Sequence, residues 1–193
     1  PKPFAGLRGI WLLFLTTLPP SVLGLLLHSY IKQLFPPFSV SLSLAVGGLL
    51  MLFVESYCAK RPPKYSSIDE VTPKLALGIG LCQCMALWPG FSRSGSTIAG
   101  GLLVGLTRSA AANYTFVIAV PLMFVACIYD LLRNLQYLSA GDMQVLAIGF
   151  VVSFIVAYIS VLWFLKFLQN SKLTSFAVYR ILLAGVTYWY FYM

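Results

Sequence analysis

The chain alternates long apolar stretches with short polar segments, and this pattern predicts helices that cross a membrane. A bilayer core of about 30 Å requires about 20 consecutive apolar residues in one helix. Four stretches reach this length and a fifth, richer in aromatic residues, ends the chain. The five predicted spans are 9–31, 38–57, 111–129, 143–165 and 175–193. The pattern therefore predicts an all-α polytopic membrane protein, with residues 1–193 forming a single integral membrane domain.

The segment 74–108 departs from this pattern because neither of its apolar arms is long enough to cross. The run 75–87 would make only about 20 Å of helix, and it leads into Pro89 and Gly90. A polar cluster and a second short apolar run, 98–106, follow. We predict a re-entrant helical hairpin with its polar tip at membrane depth. Non-helical backbone is tolerated there only where protein or a water-filled cavity surrounds it.

The basic excess indicates how the chain is oriented in the membrane, and it does not indicate a nucleic-acid partner. Thirteen Lys and Arg against five Asp and Glu give a net charge of +8, which in a soluble protein would suit a nucleic acid. A composition that is 60% hydrophobic and 9% charged excludes a soluble fold, and with it a nucleic-acid partner.

If the hairpin returns to the side it left, the cations fall mostly on the side of the N-terminus. That side collects Lys2, Arg8, Lys60, Arg61, Lys64, Lys74, Arg108, Lys166 and Lys172. The other side collects only Lys32 and Arg133. The positive-inside rule then makes the first side the cytoplasm and puts the C-terminus outside.

The hairpin tip carries the candidate chemistry. A cation within the hydrocarbon is costly, so Arg93 is a functional hypothesis by default. It is surrounded by hydroxyl groups and by glycines that let backbone amides approach a ligand. A helix is predicted to begin near 94–97, and its first turn has unpaired amides. Together these groups predict an anion site, with phosphate as its natural ligand. The candidate catalytic residues are Arg93, Ser92 and Ser94, and the candidate phosphate-binding residues are Gly90, Gly95, Ser96 and Thr97.

A structural explanation of the same residues stays open. The hydroxyls could merely cap the second helix while Arg93 extends to the interface, although capping does not require an arginine at the tip. Arg180 lies near the predicted cytoplasmic edge of the last span, where we expect snorkelling or a structural pair. Glu55 ends the second span, and we expect an interface position or a pair with Lys60 or Arg61.

The run 78–121, GIGLCQCMALWPGFSRSGSTIAGGLLVGLTRSAAANYTFVIAVP, resembles the second signature region of bacterial undecaprenyl-diphosphate phosphatases of the bacitracin-resistance type. The pieces 18–35, 46–56 and 176–185 resemble the same family in the same order. The resemblance implies hydrolysis of undecaprenyl diphosphate to undecaprenyl phosphate, which recycles the lipid carrier for peptidoglycan and affects bacitracin sensitivity. It also implies an inverted repeat with two re-entrant hairpins in the bacterial cytoplasmic membrane.

By this resemblance, Arg93 clamps the diphosphate, and Ser92, Ser94 and Thr97 lie on the phosphate-binding tip. The family's other signature, with glutamates, a serine-rich tip and a histidine, has no counterpart in the 193 residues, and His28 does not fit it. The resemblance implies a divalent cation, Mg²⁺ or Ca²⁺. No metal site is predicted in this segment, so we expect the ligands upstream of Pro1 and expect residues 1–193 alone to be inactive.

Two alternative functions are considered, and several binding partners are expected. A phosphatidic-acid-type lipid phosphatase is disfavoured, because Ala99 and Leu103 stand where that family has its histidine nucleophile and aspartate. A polyprenyl-phosphate transporter or flippase could use the same tip without chemistry. The expected partners are the isoprenoid diphosphate substrate and membrane lipids, and a homodimer is left open.

Overall fold

The computed structural model describes residues 3–170 and 173–193, and these form helices joined by short connections. The helices are α1 Gly6–Leu26, α2 His28–Lys32, α3 Pro37–Ala59, α4 Pro73–Gln83, α5 Arg93–Leu103, α6 Arg108–Asn134, α7 Ala140–Asn170 and α8 Thr174–Tyr192. Short 3-10 turns occur at Ile68–Glu70, Cys84–Leu87 and Leu135–Tyr137. The only extended pairing in the described ranges is an isolated bridge between Tyr65 and Leu106. The all-α prediction is confirmed.

Within the described residues, four helical segments are long and apolar enough to cross a membrane: Gly6–Leu26, Pro37–Ala59, Arg108–Tyr137 and Gly141–Phe167. They overlap the first four predicted spans, although the first helix ends at Leu26 rather than at residue 31. The most apolar 18-residue window of the fourth has 0% of its residues buried inside the protein, so lipid has to solvate it. The chain is a multi-pass membrane protein.

The fifth predicted span is a helix of 19 residues, α8, but tyrosines and Arg180 make it less apolar than the other four. It runs antiparallel to α3 over most of that helix. At one end the backbone N–H of Leu173 donates to Glu55 (3.3 Å), and at the other the N–H of Phe38 donates to the hydroxyl of Tyr192 (3.2 Å). A fifth crossing therefore stays a prediction, supported by this pairing with a membrane-length helix.

Helices α4 and α5 lie antiparallel and form a helical hairpin with arms of 11 residues each. A Cβ on Gly100 would lie 2.8 Å from the Cβ of Cys82, so the arms touch where glycine leaves room. The 3-10 turn Cys84–Leu87 leads into the tip. At the root, the carbonyl of Gly105 accepts from the backbone N–H of Lys64 (2.8 Å).

The hairpin packs tightly against α1 and α6. A Cβ on Gly80 would lie 2.4 Å from the carbonyl oxygen of Thr16, so the backbones of α4 and α1 are in direct contact. A Cβ on Gly101 would lie 2.7 Å from that of Ala111 in α6. The hydroxyls of Thr16 and Tyr114, both buried, are 2.6 Å apart and link α1 to α6. Small residues thus let α1 and α6 pack closely against the hairpin arms.

Glu55 is paired differently from the sequence expectation. It is buried and forms a salt bridge with Arg108, at the start of α6, rather than with Lys60 or Arg61. The Nε of Arg108 adds a second hydrogen bond of 3.3 Å. The prediction considered only neighbours in sequence, whereas the hairpin root brings the end of α3 beside the beginning of α6.

Candidate functional site

The loop at the hairpin tip is docked on α3 by two side chains. The indole Nε1 of Trp88 donates to the hydroxyl of Ser39 (2.8 Å). The hydroxyl of Ser43 hydrogen-bonds to the carbonyl of Pro89. Both serines lie in the first two turns of α3, so this loop is anchored to the half of α3 farthest from the hairpin root.

Arg180 of α8 holds the next two residues of the tip. Its Nη2 donates to the carbonyls of Gly90 (2.8 Å) and Phe91 (2.7 Å). The arginine is only 8% exposed, so of the two expectations for it snorkelling is wrong, whereas a structural partner is present in the carbonyls of the tip. The guanidinium binds these two backbone carbonyls of the tip instead of reaching the membrane surface. A sequence pattern does not reveal such backbone acceptors. Gly47 gives the guanidinium room, because a Cβ there would lie 2.6 Å from Nη2.

Two residues adopt positive φ values where the chain turns into α5. Gly90 has φ +93°, and a Cβ on it would lie 2.4 Å from the hydroxyl of Ser43, so both conformation and space require glycine. Ser92 has φ +75°, the one non-glycine residue with a positive φ in the described ranges. Such a conformation costs about 1–3 kcal/mol and persists where the surroundings impose it.

Ser92 is also the N-cap of α5, so the helix begins at Arg93, slightly earlier than expected. Its hydroxyl accepts from the backbone N–H of Gly95 (3.2 Å). Gly95 itself is confined, because a Cβ there would lie 2.0 Å from the Cε of Met51. The capping role expected of a serine is therefore real, but it does not account for Arg93.

Two separate cavities adjoin the tip. The serine cavity, about 330 Å³, lies on the α8 side and includes Ser92, Ser94 and Arg180, with an apolar wall that includes Met51, Phe116 and Phe176. The arginine cavity, about 220 Å³, lies on the α1 side and is lined by Thr17, Pro20, Ser21, Gln83, Ala86, Leu87, Arg93 and Leu122. Successive helix residues point about 100° apart, so the three catalytic candidates face two cavities rather than one.

Arg93 is half-buried and lines the arginine cavity. Its Nη2 is buried and has no hydrogen-bond partner anywhere in residues 3–170 and 173–193. The lining of the arginine cavity given above contains no carboxylate. Arg93 is thus neither in bulk water nor neutralised by a fixed acid, which is the arrangement an anion-binding cation requires.

Ser96 and Thr97 lie behind the tip, buried in the first turns of α5. The hydroxyl of Ser96 donates to the carbonyl of Ser92 (2.9 Å), and that of Thr97 donates to the carbonyl of Arg93 (2.8 Å). Neither residue lines the serine cavity or the arginine cavity. Their phosphate-binding role stays a prediction, and in this structure they stabilise the turn that carries Arg93.

The groups at the tip do not fit a divalent cation. Mg²⁺ and Ca²⁺ prefer carboxylate and carbonyl oxygens, whereas this tip offers a guanidinium, hydroxyls and one amide. Across the part of the chain that is described, no group of three His, Cys, Asp or Glu side chains could hold a metal ion. No chemical step is therefore assigned here to a metal.

Sequence reasoning missed Gln83 and did not identify the partners of Arg180. Gln83 is the single amide in the apolar run 75–87, and that isolation was the available signal. Arg180 gave no signal, because its partners are carbonyls about ninety positions away in the chain.

Fold and site together define a multi-pass membrane protein that carries an unpaired arginine on the tip of a helical hairpin. Residues 4–186 match the family model described as bacitracin resistance protein BacA. The chain belongs to this family.

Three curated relatives share one name and match this chain with similar identity and coverage. The chain is 52% identical over 188 residues to a protein of Maridesulfovibrio salexigens named undecaprenyl-diphosphatase, covering 95% of this chain and 70% of the relative. Proteins of the same name from Lawsonia intracellularis (49% over 187 residues, 97% of this chain and 70% of the relative) and Solidesulfovibrio magneticus (50% over 194 residues, 98% and 72%) are similar. The chain thus spans about 70% of the length of these relatives.

Proposed function

We propose that this chain carries the phosphate-binding hairpin of an undecaprenyl-diphosphatase, which hydrolyses undecaprenyl diphosphate to undecaprenyl phosphate and inorganic phosphate. The observation that carries the proposal is the buried, unpartnered Nη2 of Arg93 in a cavity at the hairpin tip. Family membership and relatives named undecaprenyl-diphosphatase support the substrate. Recycling of this carrier would serve peptidoglycan synthesis and bacitracin resistance.

In this reaction the oxygen of water attacks the terminal phosphorus directly, or a serine hydroxyl first takes the phosphoryl group and water then releases it. The proton of the attacking group passes to the solvent or to the released phosphate. The bond between that phosphorus and the bridging oxygen breaks, and the bridging oxygen leaves on undecaprenyl phosphate. Arg93 offers its guanidinium to the transferred phosphoryl group and stabilises the charge that develops there. Ser92 and Ser94 line the other cavity at the tip, so they are the candidate nucleophiles or hydrogen-bond donors for a diphosphate that reaches both cavities.

The tip belongs at membrane depth in this proposal. The hairpin root lies beside Glu55, through Arg108, whereas the tip contacts Ser43, twelve residues or about 18 Å earlier along α3. An apolar wall that includes Phe116 and Phe176 suits an isoprenoid chain next to the head group. We place the root on the cytoplasmic side of a bacterial inner membrane and the C-terminus outside. A divalent cation belongs to the proposal through the family resemblance alone, with ligands outside this tip.

The test is phosphate release from a long-chain prenyl diphosphate by the full-length protein in detergent. Arg93→Ala is expected to reduce kcat by about a hundredfold or more, the loss typical of a donor that stabilises transition-state charge. Arg133→Ala, at the exposed end of α6, is the matched control and should retain activity. Undiminished turnover by Arg93→Ala would contradict the proposal. Transport of prenyl phosphate across vesicles without any phosphate release would favour a flippase instead.

A further inference from the structure

Gln83 presents an unused hydrogen-bonding group inside the arginine cavity. It ends α4 and is 3% exposed, yet its Oε1 has no hydrogen-bond partner within the described ranges. Buried amide oxygens are almost always hydrogen-bonded, because leaving one unsatisfied costs free energy. Gln83 lines a cavity of about 220 Å³, so its unpartnered Oε1 indicates a ligand-binding role rather than a packing role.

The same cavity is lined by Arg93, whose unpartnered Nη2 is a hydrogen-bond donor where Oε1 of Gln83 is an acceptor. An amide oxygen accepts a hydrogen bond and a guanidinium donates one, but these two groups do not bond to each other. A third group that both accepts and donates would satisfy both. Thr17 adds a further acceptor, since its hydroxyl already donates to the carbonyl of Leu13 (2.9 Å).

A protonated phosphate has this combination of groups. Its anionic oxygens accept from a guanidinium, and its remaining P–OH donates to an amide oxygen. Sulfate has the same shape but carries no proton near neutral pH. An acceptor held inside an anion site therefore discriminates between the two ions, because sulfate would place an oxygen against Oε1.

The geometry points to Gln83 as a second phosphate-binding residue, which accepts the P–OH of hydrogen phosphate while Arg93 holds an anionic oxygen. This inference rests on the proposed function and deepens it. The ligand of the arginine cavity is then the protonated form of the phosphate group that the reaction releases. Gln83 selects that form over fully deprotonated tetrahedral anions.

The experiment titrates inorganic phosphate, and in parallel sulfate, into the full-length protein in detergent by calorimetry at neutral pH. The unmodified protein should bind phosphate at least about tenfold more tightly than sulfate, the ratio expected for one hydrogen bond to a charged ligand. Gln83→Met removes the acceptor at similar volume and should abolish that preference. Its midpoint of thermal unfolding should stay the same or rise, because no protein hydrogen bond is lost. Gln33→Met, at the exposed end of α2, is the control.

Unchanged phosphate affinity and preference in Gln83→Met would overturn the inference, as would a lower unfolding midpoint with unchanged binding. If this variant does not fold, Gln83→Asn, which retracts the oxygen, is judged by the same preference. Failure of the proposed function looks different, since Arg93→Ala would then keep its turnover. Loss of turnover in Arg93→Ala with normal selectivity in Gln83→Met would overturn the role of Gln83 alone.

Discussion

Two arginines flank the same hairpin tip, and their surroundings differ. Arg180 donates to the carbonyls of Gly90 and Phe91, whereas the Nη2 of Arg93 has no partner in the described chain. Both lie in an apolar setting where an unpaired charge is costly. The Nε of Arg180 also lacks a partner in the described chain, so the two arginines differ in the two carbonyls that Arg180 holds and not in the satisfaction of every donor. A buried arginine is therefore a candidate for ligand binding when its donors lack protein acceptors, and burial alone is not sufficient.

The largest expected effect is on activity, from Arg93→Lys. Lysine keeps the charge but loses the planar fork that holds two phosphate oxygens. We expect kcat/KM for prenyl diphosphate hydrolysis to fall by about a hundredfold, with an unchanged unfolding midpoint because Arg93 Nη2 makes no protein hydrogen bond. A drop in the midpoint as large as that of an Arg180 variant would remove the distinction between the two arginines.

Arg180→Met tests the other side of the comparison. It leaves the carbonyls of Gly90 and Phe91 unsatisfied, so the free energy of unfolding should fall by about 2–4 kcal/mol. Activity should fall as well because the tip is released from α8. Thermal unfolding measures the first effect, with Arg133→Met as control. In Arg180→Ala, added guanidinium ions should restore part of the activity, and full activity without them would show that the tip needs no such support.

Gly47→Ala perturbs Arg180 without changing it. The new Cβ would lie 2.6 Å from Nη2 and 2.8 Å from the carbonyl oxygen of Phe91, so one of them has to move. We expect a loss of about 1–3 kcal/mol in the free energy of unfolding. Gly149→Ala in α7, where no neighbouring atom lies within 4 Å of a Cβ, is the matched control and should be neutral or slightly stabilising. An equal free energy of unfolding in the two variants would show that Arg180 and Phe91 do not pack tightly against Gly47.

The smallest effect concerns a carboxylate outside the membrane spans. The backbone N–H of Phe4 and the hydroxyl of Ser67 hold the pKa of Asp69 below its ordinary value. A lowered pKa stabilises the folded state at pH values above the ordinary pKa of aspartate. This contribution is lost as the pH falls through the lower pKa of the folded state. Unfolding midpoints measured from neutral to acidic pH should therefore depend less on pH in Asp69→Asn, while activity at neutral pH stays the same.

The parts of the molecule that a linear pattern determines were predictable. Span length follows from hydropathy, so four helices long and apolar enough to cross a membrane were located correctly, and the short arms around Pro89 predicted a helical hairpin, which α4 and α5 form. Arg93 stood out because a cation between two apolar arms is rare. These inferences need only the residues on either side of each position.

Contacts between distant segments could not be predicted in this way. Arg180 meets its carbonyls and Glu55 meets Arg108 only because α8 and α6 return to the hairpin and its root. The separation of Ser92 from Arg93 into two cavities depends on the direction in which α5 starts, which the positive φ of Ser92 sets. No local propensity specifies that turn, since a serine in this conformation is held there by its surroundings.

The backbone contact between Gly80 and Thr16 also gives the arginine cavity one rigid side. Gln83 and Thr17, which line the arginine cavity, lie within one turn of this contact on α4 and α1. Rotamer changes can widen a space bounded by side chains, but two touching backbones do not yield in that way. This side of the cavity therefore keeps its position when a ligand binds, and any widening has to come from side chains on the other sides.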